Sequence, residues 1–207
     1  TWKPVTAMAG MESGKFPPDT KLHTKACITY GGHCFPDHNG KGFGTIGYAD
    51  ALRHSSNTFL YQVGVGVGSL ALKQAADQLG FQQKTGIEIG WEESVGLVGD
   101  EPWADRGRGW AEPGTVPWIP EDMASASIGQ SVVQITPLQL ARAYAVFANG
   151  GWLVTPHLAA GDIDWMSPEH RTKVAMKPST LQTIREGLRK VVEAGTGAGL
   201  NGPGIPA

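Results

Sequence analysis

Pro4 constrains this chain more than any other residue. A proline lacks the backbone N–H and its ring clashes with the preceding turn, so a helix accepts it only in its first turn. The run PVTAMAGM therefore predicts a helix over residues 1–12 that starts at or just before Thr1. That puts Lys3 at a helix N-terminus, facing the position three residues before it. A serine there, beside an amine and the free N–H groups of a helix start, would be an activated nucleophile. Taken alone, Lys3 reads more simply as a solvated surface lysine.

Other punctuation places the remaining elements. Residues 14–45 are rich in Gly, Pro, Asp and His and read as loop. Residues 47–66 read as helix, broken around His54–Asn57 by small polar residues that prefer caps and turns. SLALKQAADQL (69–79) is a helix stopped by Gly80, and FQQKTGIEIG (81–90) reads as loop followed by a short strand. Residues 91–120 are irregular and hold four of the seven Trp. Buried indoles anchoring a loop explain them better than a partner-binding surface. Thr136 caps and Pro137 opens a helix that Gly150 ends, 152–160 suits a strand, and 179–194 is a helix with Leu181, Ile184, Leu188, Val191 and Val192 on one face.

The 207 residues suit one domain, or two tightly joined subdomains, with a real core. A net charge of −2 with no basic stripe argues against a nucleic-acid or anionic-lipid partner. FLYQVGVGVGSLAL is too short and too glycine-rich for a bilayer span.

Two further groups bear on chemistry. Ser55-Ser56-Asn57 is a Ser-x-Asn turn between helices, which can aim a hydroxyl for proton relay and an amide for holding a substrate backbone; a plain helix cap is the simpler reading of the stretch alone. Lys84-Thr85-Gly86 tempts completion of an S-x-x-K, S-x-N, K-T-G set. It follows a helix-ending glycine and does not sit on a sheet-edge strand, so we read it as a turn.

The strings PVTAMAGMESG, ADALRHSSNTFLYQVG, QLGFQQKTGIEIG, ASIGQSVVQITPLQLARAYAVFANGG and LRKVVEAGTG, in that order, resemble the transpeptidase domain of class B penicillin-binding proteins, in particular the elongation type. The resemblance runs over nearly the whole chain and is most specific in 46–66 and 124–151. In that family a serine precedes the segment matching Thr1-Trp2-Lys3, and the functional K-T-G follows the segment matching the tail. Residues 1–207 are thus expected to be a partial transpeptidase domain, cut just inside both motifs. The implied fold is α/β, of the serine β-lactamase and penicillin-binding type: mostly the helical subdomain, with part of the antiparallel sheet region. With sheet strands missing, marginal stability is expected.

The resemblance implies catalytic roles for Lys3 (base), Ser55 (proton transfer) and Asn57 (also substrate contact), with Gly129 and Gln130 near the cleft, where tight packing is the competing reading. The implied reaction is D,D-transpeptidation of peptidoglycan stem peptides by serine acyl transfer, without metal or organic cofactor. β-Lactams would be covalent inhibitors and cell-wall elongation proteins the partners. The parent would be membrane-anchored outside this segment and work at the periplasmic face of the bacterial plasma membrane. Alternatives are a β-lactam hydrolase or sensor of the same fold, and a non-catalytic cell-wall assembly module. Cys27 and Cys34 flank ITYGGH, whose Gly-Gly suits a hairpin turn. They fit a disulfide in an oxidising compartment, a metal site with His38 (or His33, Asp37, His23), or free thiols. His54, His157 and His170 suit exposed or capping positions.

Overall fold

The computed structural model describes residues 1–89, 91–99, 118–131, 133–159, 164 and 167–200. Seven α-helices and four two-stranded antiparallel ribbons make up these residues. The helices are α1 (Lys3–Glu12), α2 (Tyr48–Arg53), α3 (Asn57–Val67), α4 (Ser69–Gln78), α5 (Pro120–Ser127), α6 (Pro137–Ala148) and α7 (Pro178–Ala194). The strands are β1 (Lys21–Thr24), β2 (Cys27–Tyr30), β3 (His33–Pro36), β4 (Gly44–Gly47), β5 (Leu97–Val98), β6 (Val133–Gln134), β7 (Trp152–Val154) and β8 (Arg171–Lys173). They pair β1 with β4, β2 with β3, β5 with β6 and β7 with β8.

Helix α1 is the axis of the core. Every residue from Lys3 to Met11 is buried, and α2, α3, α4 and α7 pack around it. A helix apolar on all sides belongs in an interior. Its small residues let neighbours come close: a Cβ on Gly10 would lie 2.4 Å from the Tyr48 hydroxyl and 2.6 Å from Val63 Cγ1. Thr6 satisfies its buried hydroxyl by donating to the Ser127 carbonyl at 2.7 Å, tying α1 to the end of α5.

The outer helices have the ends their sequences promise. Thr136 and Gln139 form a reciprocal capping box on α6, with Pro137 in the first turn. Gln139 is fully buried, and its side-chain amide also donates to the carbonyls of Gln83 (2.9 Å) and Val95 (3.0 Å), stitching the loop before β5 to α6. Helix α7 starts at Pro178; Glu12 at the end of α1 accepts from the Lys177 N–H (3.0 Å) and the Thr180 hydroxyl (2.5 Å). Gly187 lets α7 cross α2 closely, for a Cβ there would stand 2.6 Å from Leu52.

Several expectations need correcting. Helix α1 begins at Lys3, although Trp2 already has helical dihedrals. The stretch 14–45 is not plain loop: it contains β1 to β3 and the start of β4, each strand four residues long, whose partners the local pattern could not supply. No strand forms over 81–89. The expected strand 152–160 ends at Val154, after which Leu158 and Ala159 donate to the Glu88 carboxylate instead. Of the Trp-rich stretch, residues 100–117, with Trp103 and Trp110, lie outside the described residues; Trp118 is half-buried against the core as a loop anchor would be, while Trp91 is 74% exposed and is not one.

Candidate active site

The site is assembled from two helix ends and one ribbon. Helix α1 brings Lys3 in its first turn. The α2–α3 junction brings Ser55 and Asn57. The segment after β3 brings Asp37.

The junction begins with a helix stop of Schellman type. The Ser55 N–H donates to Leu52 and the Ser56 N–H to Ala51, at 2.9 and 2.8 Å. That motif needs left-handed backbone after the cap, usually glycine; here it is Ser55, at φ +53°. The chain ends α5 the same way with a glycine: Gly129 N–H donates to Ala126 and Gln130 N–H to Ser125, with Gly129 at φ +79°. Ser55 shares a positive φ with the non-glycine residues Gln82 and Ser131. The unusual backbone turns both the carbonyl and the hydroxyl of Ser55 to one amine.

That amine is Lys3 Nζ. It donates to the Ser55 carbonyl, to Ser55 Oγ at 2.8 Å and to Asn57 Oδ1 at 2.6 Å. The three ammonium protons have three acceptors. Burial lowers the Lys3 pKa to about 8, while the charge of Asp37 pulls the other way. The amine is thus poised to lose a proton near neutral pH. Neutral, it has two N–H bonds and a lone pair, and Ser55 Oγ can then donate instead of accept.

Asn57 is held from both ends. Its side-chain N–H donates to the Pro36 carbonyl at 3.3 Å, which leaves Oδ1 for Lys3. Its backbone N–H donates to Asp37 Oδ1 at 3.1 Å. Asp37 is 2% exposed and also receives the Ser56 hydroxyl (2.7 Å), the Thr58 N–H (3.1 Å) and the Thr58 hydroxyl (2.7 Å). Burial alone would raise its pKa; these hydrogen bonds outweigh it and hold the carboxyl below its ordinary value. His38 Nδ1 lies 3.1 Å from Asp37 Oδ1.

Lys3, Ser55 and Asn57 are brought together. Gly129 lies against Trp2, where a Cβ would come within 2.3 Å of the Trp2 Cβ, so close packing and the positive φ together account for the glycine. Gln130, next to it, is exposed. An open cavity of about 640 Å³ adjoins Lys3 and Ser55, walled by Leu140 and Tyr144 of α6 and by Leu188, Val191 and Val192 of α7.

Cys27 and Cys34 are joined by a disulfide across the β2–β3 ribbon. Both thiols are consumed, so the metal alternative with His38 is set aside. Among the described residues no group of three or more His, Cys, Asp or Glu could hold a metal. Lys84-Thr85-Gly86 lies in a turn-rich stretch without a strand, and Thr85 donates its hydroxyl to Glu93 at 2.6 Å. His54 stacks on Phe43 at 4.6 Å between ring centres. Sequence reasoning saw Asp37 only as a possible metal ligand. Its actual partners, 19 to 21 residues further along the chain, are fixed by the fold.

Residues 1–207 match the family described as the penicillin binding protein transpeptidase domain. The peptidoglycan D,D-transpeptidase MrdA of Acinetobacter baumannii is 30% identical over 98% of this chain and 30% of that protein. MrdA of Haemophilus influenzae is 28% identical over 96% of this chain and 31% of that protein. The chain thus spans about three-tenths of the length of these relatives. Among solved structures, the penicillin-binding protein PBP2 of Helicobacter pylori, determined in complex with MreC, is similar with a TM-score of 0.79, 26% identity, and coverage of 93% of this chain and 34% of that one.

Proposed function

This chain belongs to the penicillin-binding protein transpeptidase family, and on that premise we propose that it is part of a peptidoglycan D,D-transpeptidase that cross-links stem peptides by serine acyl transfer. The observation that carries the reading is the amine of Lys3 held by Ser55 and Asn57, with its pKa lowered to about 8.

The resemblance aligns the family's nucleophilic serine with the position preceding Thr1. There Lys3 takes the serine proton as Oγ bonds to the penultimate D-Ala carbonyl carbon, and the carbonyl π electrons move to oxygen. Backbone N–H groups at the start of α1 help hold that oxyanion. When it collapses, the C–N bond breaks, and the departing D-Ala amine collects the proton from Lys3 through the Ser55 hydroxyl. An acceptor amine then attacks the ester carbonyl and passes a proton to Lys3 along the same path; the acyl C–O bond breaks, and the serine oxygen takes that proton back from Lys3. Asn57 contacts the stem peptide backbone, and Gln130, carried by Gly129 to the Trp2 side of the site, contacts it from the rim.

The proposed setting is the periplasmic face of the plasma membrane, among cell-wall elongation proteins. The disulfide supports an oxidising compartment, and the MreC complex of the H. pylori relative supports such partners. Among the described residues no helix is long and apolar enough to cross a membrane.

Intact-mass spectrometry after incubation with a penicillin tests the reading on two samples, this chain and the natural full-length protein. The expected result is a stable penicilloyl adduct on the full-length protein alone, mapped to the residue before Thr1 and forming faster as pH rises towards 8. A folded full-length protein without adduct would overturn it in favour of a non-catalytic assembly module. Rapid release of hydrolysed penicillin would instead indicate a hydrolase.

A further inference from the structure

We propose that Asp37 is the positioning residue of this site: its buried carboxylate clamps Ser56, Asn57 and Thr58 at the start of α3, and through Asn57 sets the place and charge state of the Lys3 amine. The proposal rests on the transpeptidase reading above for its effect on catalysis.

The geometry runs in one connected path. Asp37 Oδ1 accepts the Asn57 backbone N–H, and Oδ2 accepts the Ser56 hydroxyl and both donors of Thr58. The preceding residue, Pro36, takes the Asn57 side-chain N–H. Adjacent residues of one segment therefore fix the backbone and the amide plane of Asn57, and Asn57 Oδ1 meets Lys3 Nζ at 2.6 Å. The segment is itself anchored: Asp37 N–H donates to the Ala26 carbonyl at 2.9 Å, at the base of the disulfide-closed ribbon.

Helix capping alone does not account for the arrangement. Ser56 already caps α3 by accepting from the Phe59 N–H. Asp37 is buried and its negative charge favours the protonated Lys3 amine, where a neutral acceptor would have sufficed for the cap. The groups around Lys3 and this carboxylate among the described residues are few. The α2–α3 turn supplies neutral Ser55 and Asn57, and α6 supplies the Tyr144 phenol on the shared cavity, its pKa raised to about 12 by burial. Tyr61 on α3 meets the Asn57 side chain, and His38 touches Asp37.

The test is Asp37→Asn in the natural full-length protein, with two readouts independent of turnover. One is the pH dependence of Lys3 labelling by a small amine-reactive anhydride, followed by peptide mass spectrometry. The other is hydrogen exchange over residues 56–59. The expected result is Lys3 ionisation moved to lower pH, since an attractive negative charge is gone, together with faster exchange. Penicillin acylation should then fall on the order of tenfold to a hundredfold, with its acid limb displaced to lower pH. Faster exchange with Lys3 ionisation unmoved would reduce Asp37 to a helix cap and overturn the proposal. If Asp37→Asn does not fold, Thr58→Val keeps the charge and removes one clamp: it should speed Asn57 exchange and slow acylation severalfold without moving Lys3 ionisation, and no change in either rate would overturn the proposal. A wild-type protein that is never acylated would defeat the transpeptidase reading, while the labelling and exchange data would still decide the role of Asp37.

Discussion

At the scale of single residues, Ser55 holds a backbone that local preference disfavours. Its left-handed backbone is one that a glycine adopts freely and that costs other residues roughly 1–2 kcal/mol. Ser55→Gly and Ser55→Ala both delete the hydroxyl, but only the glycine relieves the backbone. The glycine variant should be more stable than the alanine variant by about 1 kcal/mol in chemical denaturation, with both equally slow to acylate. Equal stabilities would mean that the serine is not strained. Pro4 places Lys3 at a helix start and the polar cluster places Ser55 and Asn57 at a helix break, but only the family resemblance singles the three out as a group; the structure brings them together. Asp37 was not legible in the sequence, because its acceptor role depends on a ribbon folding back over α3 from 19 residues earlier.

At the scale of elements, the helices were readable except α5, and the ribbons mostly were not. Thr136, Pro137 and Gly150 sit within one helix and its caps, so their signal is local. Strands of two to four residues gain their identity from a distant partner, as Thr24 does from Gly44, and no short window contains both. The β2–β3 ribbon was half visible through its Gly-Gly turn and two cysteines. Its disulfide closes a short loop, for which chain-entropy estimates give about 2 kcal/mol. Replacing both cysteines with serine should cost about that much stability. It should also raise hydrogen exchange at Asp37 and at the α3 start more than in α6. Uniform loosening in both places would show that the ribbon stabilises the fold without specially supporting the site.

At the scale of the whole molecule, the core is asymmetric. It is dense around α1, while the side bounded by α6 and α7 holds an open apolar cavity of about 640 Å³. Apolar concavities of that size attract other apolar surfaces. The 207-residue chain alone should therefore bind a fluorescent apolar dye such as ANS and melt at a lower temperature than the natural full-length protein. A dye-silent chain with a high, cooperative transition would show that this segment is self-sufficient.

The complete burial of α1 has a consequence for how such a site can change over generations. From Lys3 to Met11 there is no solvent-facing position on which sequence drift could act without disturbing a neighbour. Change is easier at exposed positions such as Gln130 than along the buried rod that carries Lys3. Lineages of this protein should diverge in what surrounds Lys3 well before they diverge in the helix that bears it.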